Sequence, residues 1–297
     1  MIEESIASTE AIGLKPIQQG KQSRLRIPIP REHGAWAMLI GPTLMGVGVA
    51  GWAGLPTPLF FLAALSLFIS RRPLGLFLKA YQVRPRDAEV LRENLAWAAV
   101  FVGAGAASVA VLLLVFTRWW LLPLGAAATF LLALQLYLER RRLHRTMTSE
   151  FLAIAGLVVT GPSSFYVASG SLGAGAFAVW LVSFLYFANS IFYVRFKNRK
   201  RSAPVGLSLA HRVSLGGDLV TSTVVVLALV VAASVAGYAP ALMPLAFLPH
   251  TYKVASNILW TASRVSIKRV GVLEIGHSVV FVVLASLAFH SSPIVAG

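Results

Sequence analysis

The chain has 297 residues and a formal net charge of +15, and 57% of its residues are hydrophobic whereas only 12% are charged. Soluble proteins carry about 25% charged residues, so this composition excludes an ordinary soluble fold. In a membrane protein the positive excess indicates basic cytosolic loops that face anionic lipid, rather than nucleic-acid binding. The absence of cysteine excludes disulfides, thiolate metal ligands and a cysteine nucleophile.

The first 30 residues mix polar, proline and glycine positions without periodicity, which predicts a disordered cytosolic tail. Uncharged apolar runs follow, each near or above the ~20 residues that one helical crossing needs. They predict an all-α fold, a polytopic transmembrane helix bundle in which residues 31–297 form a single domain of about nine spans. The predicted spans cover residues 35–53, 59–70, 94–116, 119–138, the two parts of 151–194 that a break at 170–173 separates, 219 to the turn at 237–240, that turn to 260, and 273–290.

The basic residues test this assignment. Of the 26 lysines and arginines, 24 fall in the tail or in the loops after the second, fourth, sixth and eighth spans. Positively charged loops stay in the cytosol, so the pattern predicts an N-terminus in the cytosol and a C-terminus outside. The loop at 71–93 also contains an amphipathic stretch, 74–81, that is predicted to lie on the membrane surface.

Two local patterns concern packing. Residues 46–51 match the GxGxxG nucleotide fingerprint, but they lie inside a hydrophobic helix, where small residues let neighbouring helices approach closely. Pro162 lies within the fifth span and is predicted to kink it, because proline removes a helical hydrogen bond.

Polar residues within the spans gather toward the predicted cytosolic side. Lys253 lies in the inner half of the eighth span, where an unpaired ammonium facing lipid costs roughly 2.5–3.5 kcal/mol, so it is expected to face protein or a cavity. Tyr186, Asn189 and Tyr193 share one helical face of the sixth span. Together they predict a polar cavity that opens to the cytosol between spans 1, 6, 8 and 9.

Each of these residues also has a purely structural interpretation, as an interfacial anchor, a topology charge or a partner of a helix dipole. Glu274 and His277 form one ExxH pair, whereas a di-iron bundle needs two such pairs and two further glutamates. We therefore predict no metal site and no cofactor.

Three segments carry a family resemblance: PREHGAWAML at 30–39, YFANSIFYVR at 186–195 and GVLEI at 271–275. With them the chain resembles the YwiC-like family of bacterial integral membrane proteins, over most of its length after residue 28. The resemblance implies a protein of the bacterial inner membrane and supplies no activity. At the level of architecture, the chain is also similar to UbiA-type intramembrane prenyltransferases, which have nine helices and a central cavity approached from the cytosolic side. Their paired aspartates for Mg²⁺ are not matched, because the corresponding regions offer only Asp87 and Asp218.

Three functional readings remain open. In the first, a UbiA-like membrane-embedded enzyme acts on an anionic, lipid-like substrate; in the second, the same residues line the path of a transporter for a small anion. In the third, the chain is a structural subunit of a membrane complex. The expected partners are anionic membrane lipids, and the sequence identifies no protein partner. The candidates for proton transfer are Glu32, His33, Glu274 and His277, and those for substrate binding are Arg71, Arg72, Tyr186, Asn189, Tyr193, Arg195, Lys253 and Asn257.

Overall fold

The computed structural model describes residues 28–30, 33–82, 87–140, 146–204, 206, 208–259 and 267–292. The predicted disordered tail therefore lies outside the described residues, except for its last three. Within the described ranges the chain folds into helices joined by short turns, and the predicted all-α fold is confirmed. The helices are α1 (His33–Ala50), α2 (Pro56–Gln82), α3 (Ala88–Leu114), α4 (Leu121–Arg140), α5 (Met147–Val158), α6 (Thr160–Ser169), α7 (Ala174–Ser202), α8 (Leu209–Leu215), α9 (Gly217–Val235), α10 (Met243–Ala246), α11 (Leu248–Leu259) and α12 (Ile267–His290).

Six helical segments are long and apolar enough to cross a membrane: α2, α3, α5 together with α6, α7, α9 and the part of α12 from Gly271 to His290. Two shorter apolar helices, Gly34–Ala50 and Leu121–Gln135, coincide with the first and fourth predicted spans. The eighth predicted span is built from α10 and α11, which have 4 and 12 residues. A membrane protein with several spans is thus confirmed, whereas the count of nine stays a prediction.

One proline lies next to a break in a helical segment, and another proline lies inside a helix that continues past it. The helix divides at Val159, between α5 and α6, three residues before the buried Pro162. Because proline has no N–H, it cannot donate to the carbonyl four residues earlier, and the helix is interrupted there, as predicted. In contrast, α2 continues through Pro73 to Gln82, so the stretch 74–81 is part of a spanning helix and not a separate surface helix. The prediction of a long loop over 71–93 was therefore wrong for residues 71–82, which belong to α2.

Close contact between α1 and α6 holds the centre of the bundle. A methyl group built on Gly46 would lie 2.1 Å from Ser164 Oγ and 2.3 Å from the carbonyl oxygen of Gly161. The Ser164 hydroxyl donates to the carbonyl of Thr43 at 2.9 Å, so backbone and side chain touch across this interface. Gly46 therefore packs against α6 and Gly48 against Ser286 of α12, as predicted, whereas Gly51 follows the end of α1 with a φ of 93° and open space around it. On another face, α1 packs against α12.

The helices alternate in direction. One end of the bundle therefore contains the C-termini of α2, α4, α7 and α11 together with the N-termini of α1, α5, α9 and α12. Ion pairs mark this end: Arg195 bonds Glu150 across α7 and α5, and Arg199 bonds Asp218 across α7 and α9. We call it the basic end of the bundle. At the opposite end Arg118 donates to the carbonyl of Val167 at 3.2 Å. The residues of functional interest lie at or near the basic end.

Candidate functional site

A buried ion pair joins α11 to α12 near the basic end. Lys253 Nζ lies 2.9 Å and 3.0 Å from the two carboxylate oxygens of Glu274, and the two side chains are 4% and 15% exposed. The ring of Tyr193 on α7 lies beneath the ammonium, with its centroid 4.2 Å from Nζ. A cation over an aromatic face gains further electrostatic stabilisation, most of all when it is removed from water. Lys253 therefore faces protein, as the desolvation argument predicted.

The pairing restricts what Lys253 can bind. Its ammonium has three donors, two of which point at Glu274, and the pair as a whole carries no net charge. An anion at Lys253 would add a negative charge to a buried site, unless Glu274 took up a proton at the same time. The arrangement is thus suited to coupled uptake of a proton and an anion rather than to binding an anion alone.

A second polar cluster lies on the same side of the bundle, between α7, α9 and α11. Asn189 accepts a hydrogen bond from Ser222 Oγ at 2.7 Å and donates to Thr223 Oγ1 at 3.2 Å. Its amide nitrogen also lies 2.9 Å from His250 Nε2. Because both amide hydrogens are donated, His250 Nε2 acts as an acceptor and the ring proton resides on Nδ1. That Nδ1 is buried and has no hydrogen-bond partner among the residues that the structure describes.

Aromatic side chains fill the space between these two clusters. The ring of Tyr186 stacks on Phe281 with a centroid distance of 3.7 Å. The ring of Tyr193 faces the Lys253 ammonium of α11, and Tyr193 is 4% exposed. The predicted stripe on the sixth span is therefore buried between α7, α11 and α12, where it packs rings against rings.

The other predicted residues fall elsewhere. Arg71 and Arg72 lie on α2, which packs against α3, α6 and α1, whereas Lys253 lies on α11, which packs against α12, α8, α9 and α10. From the sequence, these three cations are predicted to bind one anion together, whereas the structure places them in two separate regions. Arg195 belongs to neither region, because its guanidinium lies 2.9 Å from the Glu150 carboxylate.

Of the four candidates for proton transfer, the structure describes the side chains of two. Glu32 and the side chain of His33 lie outside the described residues. Glu274 forms the ion pair, and the Nδ1–H of His277 donates to the carbonyl of Leu273 at 2.7 Å, which leaves Nε2 as the basic nitrogen. In the described part of the chain, no three His, Asp or Glu side chains gather as metal ligands would.

A groove between α1, α2, α4 and α5 forms a separate candidate binding site. It contains about 520 Å³ of space free of protein atoms, its open side included. The walls are mostly leucine, alanine and Phe68, and the polar side chains of Arg71 and Gln135 lie toward the basic end. The sequence singled out Arg71 but not the groove, because its walls come from four helices that are not all neighbours in the chain.

Three further cations surround the last residues of α11. Lys197 Nζ bonds Asn257 Oδ1, Lys200 Nζ donates to the carbonyl of Asn257 at 2.7 Å, and Arg212 Nη1 donates to the carbonyl of Leu259 at 2.7 Å. We call these three side chains the basic cluster. From the sequence, these three residues are expected only as basic residues of a cytosolic loop. Their convergence depends on α8 folding back beside α11, which no sequence pattern indicated.

The fold and these sites define a helical integral membrane protein with buried ionisable residues near one end of its bundle. The chain belongs to the YwiC-like family: the family model "YwiC-like protein" matches residues 29–165. The Bacillus subtilis (strain 168) protein described as "Uncharacterized protein YwiC" is 30% identical over 174 residues, which is 58% of this chain and 68% of that protein. No solved structure matches the chain. The matched residues 29–165 include the whole groove but not the Lys253–Glu274 pair.

Proposed function

We propose that this protein binds an anionic, lipid-like molecule from the cytosolic leaflet of the bacterial inner membrane. The single observation that carries the proposal is the groove between α1, α2, α4 and α5, with its apolar walls and Arg71 toward the basic end. In this proposal the basic end faces the cytosol, in agreement with the distribution of 24 of the 26 lysines and arginines.

The groove has the properties that an amphipathic anion requires. Its walls are mostly apolar with a few polar side chains, as in most ligand pockets. Leu132, Leu152 and Leu157 would line an acyl or prenyl chain, which gains about 0.8 kcal/mol for each buried methylene. A guanidinium binds carboxylate or phosphate through two parallel hydrogen bonds, so Arg71 would hold the head group. Every residue that lines the groove lies within the segment that the family model matches, which supports a role common to the family.

The groove is tested by lipid analysis of the purified protein. Ala128 lines the groove and Ala127 on the same helix is exposed, so Ala128→Phe fills the groove whereas Ala127→Phe adds the same ring outside it. Lipids that co-purify in mild detergent are extracted and identified by mass spectrometry. We expect one anionic species to be retained by the wild type and by Ala127→Phe, and to fall at least tenfold in Ala128→Phe.

The head-group role of Arg71 is tested in the same preparation. Arg71→Gln should lose the bound species, whereas Lys79→Gln, which removes an exposed charge from the same helix, should retain it. Equal lipid content in all four variants and the wild type would refute the proposal. Loss of the lipid in Ala128→Phe but not in Arg71→Gln would retain the groove and reject Arg71 as the anion ligand.

A second candidate function is proton-coupled transport of a small anion, which the Lys253–Glu274 pair favours. Ionisable residues that pair inside a membrane commonly mark ion or proton pathways. An incoming anion would replace Glu274 as the partner of Lys253, and Glu274 would take up a proton. The net charge of the site would then stay at zero. Reconstituted vesicles that contain a pH-sensitive dye would report proton entry driven by inward gradients of nitrate or phosphate. Transport predicts proton entry that Glu274→Gln abolishes, and no entry with either anion would reject transport of these two anions.

A further inference from the structure

We propose that the basic cluster of Lys197, Lys200 and Arg212 is a second anion site, which binds a phosphate group at the cytosolic membrane surface. It is independent of the groove, since it is built on α7 and α8 and touches α11. A phosphate could come from a phospholipid head group or from free phosphate, and both have the same chemistry.

The first observation is uncompensated charge. The three cations bond only to amide or carbonyl oxygens of Asn257 and Leu259, and none has a carboxylate at ion-pair distance within the part of the chain that the structure describes. Lys197 and Lys200 repel each other, and Lys200 is repelled by Arg212 as well. The one acidic side chain that attracts Lys197, Glu274, is already paired with Lys253. Among the described residues, the cluster thus gathers three positive charges without a counter-ion of its own.

The second observation is an unfilled donor on Arg212. This side chain is only 9% exposed, and its Nε is buried without a hydrogen-bond partner among the described residues. Nη1 is used by the carbonyl of Leu259, so the unfilled donor lies on the opposite edge of the guanidinium, where Nε and Nη2 point in parallel. That edge can hold two oxygens of one phosphate.

The surrounding contacts position the cluster for such a ligand. Lys197 Nζ lies 5.5 Å from the ring centroid of Tyr193, and Lys200 Nζ lies 5.7 Å from that of Phe196, so aromatic rings support both ammonium groups. Each ammonium bonds a single protein oxygen and retains further donors. Lysines and arginines next to a spanning helix are attracted to anionic lipid near the membrane surface. Two ammonium groups beside one buried guanidinium favour a bound phosphate over diffuse attraction.

The test uses the full-length protein in a neutral detergent. Thermal unfolding is followed with added sodium phosphate against sodium chloride of equal ionic strength, and with added phosphatidic acid against phosphatidylcholine. We expect a dose-dependent rise in Tm with at least one phosphate-bearing probe. Arg212→Gln and Lys200→Gln should each weaken the apparent affinity at least tenfold, and Arg201→Gln, an exposed charge on the same helix, should leave it unchanged.

Each outcome bears on the proposal. Stabilisation by both probes supports a phosphate site, and stabilisation by phosphatidic acid alone assigns the ligand to the lipid. If Arg212→Gln fails to fold, Lys200→Gln gives the answer by itself, because Lys200 is only half-buried. The proposal is overturned if neither probe exceeds its control, or if Arg201→Gln weakens binding as much as Lys200→Gln. Lipid retention in the groove does not depend on either result.

Discussion

Replacing Glu274 by glutamine should leave the Lys253 ammonium buried without its counter-ion, and replacing Lys253 by methionine should leave the carboxylate in the same position. At 2.9 Å the two charges attract by about 6 kcal/mol if the effective dielectric constant is about 20. Most of this attraction is offset by the loss of hydration. Removal of one partner of a buried pair commonly costs about 3–5 kcal/mol, because the remaining charge is uncompensated.

The double variant Lys253→Met with Glu274→Gln contains no buried charge. It should therefore be less destabilised than the sum of the single variants, with a coupling free energy of about 2–3 kcal/mol. Unfolding in mixed micelles, followed by circular dichroism, gives the free energy of unfolding for all four proteins in the cycle. If the single effects simply add, so that the coupling lies below about 0.5 kcal/mol, the pair is not a buried electrostatic unit and the coupled uptake of proton and anion has no basis.

Two further predictions test the helix packing and the orientation of the chain. Gly46→Ala should lower the free energy of unfolding by about 2–3 kcal/mol, because the added methyl group meets the backbone of α6. Gly103 has open space around it, so Gly103→Ala should stabilise α3 slightly. Equal effects of the two substitutions on the free energy of unfolding would contradict the close contact between α1 and α6. Because the chain has no cysteine, Ser171→Cys and Ser202→Cys can be labelled singly in intact cells with a membrane-impermeant maleimide. Labelling of Ser171→Cys alone is expected, and labelling of Ser202→Cys before permeabilisation would reverse the proposed orientation.

The helices were predictable because their signal is local. A run of uncharged residues long enough to cross the hydrocarbon core can be read directly from the chain, and eight of the nine predicted runs coincide with apolar helices. The burial of Lys253 was predictable for the same kind of reason, since the cost of an exposed ammonium in lipid depends on its depth and not on its neighbours. The prediction that Lys253 faces protein therefore required no knowledge of the fold.

The pairings between helices were not predictable. Lys253 and Glu274 are 21 positions apart on separate helices, and no sequence pattern indicates which face of α11 meets α12. The sequence grouped Arg71 with Lys253 by their common side of the membrane, which fixes depth but not lateral position. His250 was overlooked as a partner of Asn189, although its place one turn before Lys253 puts both on one face of α11. Proline also misled at Pro73, where α2 tolerates it and continues.

The interface between α1 and α6 has a mechanical consequence for both candidate sites. Two helices whose backbones touch at Gly46 cannot slide along each other without first moving apart, so α1 and α6 move as one rigid unit. One side of this unit contacts α2 and α5 of the groove, and another side contacts α12, which carries Glu274. A molecule that widens the groove would displace α2 and α4 more readily than α1 and α6, so the ion pair on the far side would not be affected by that movement.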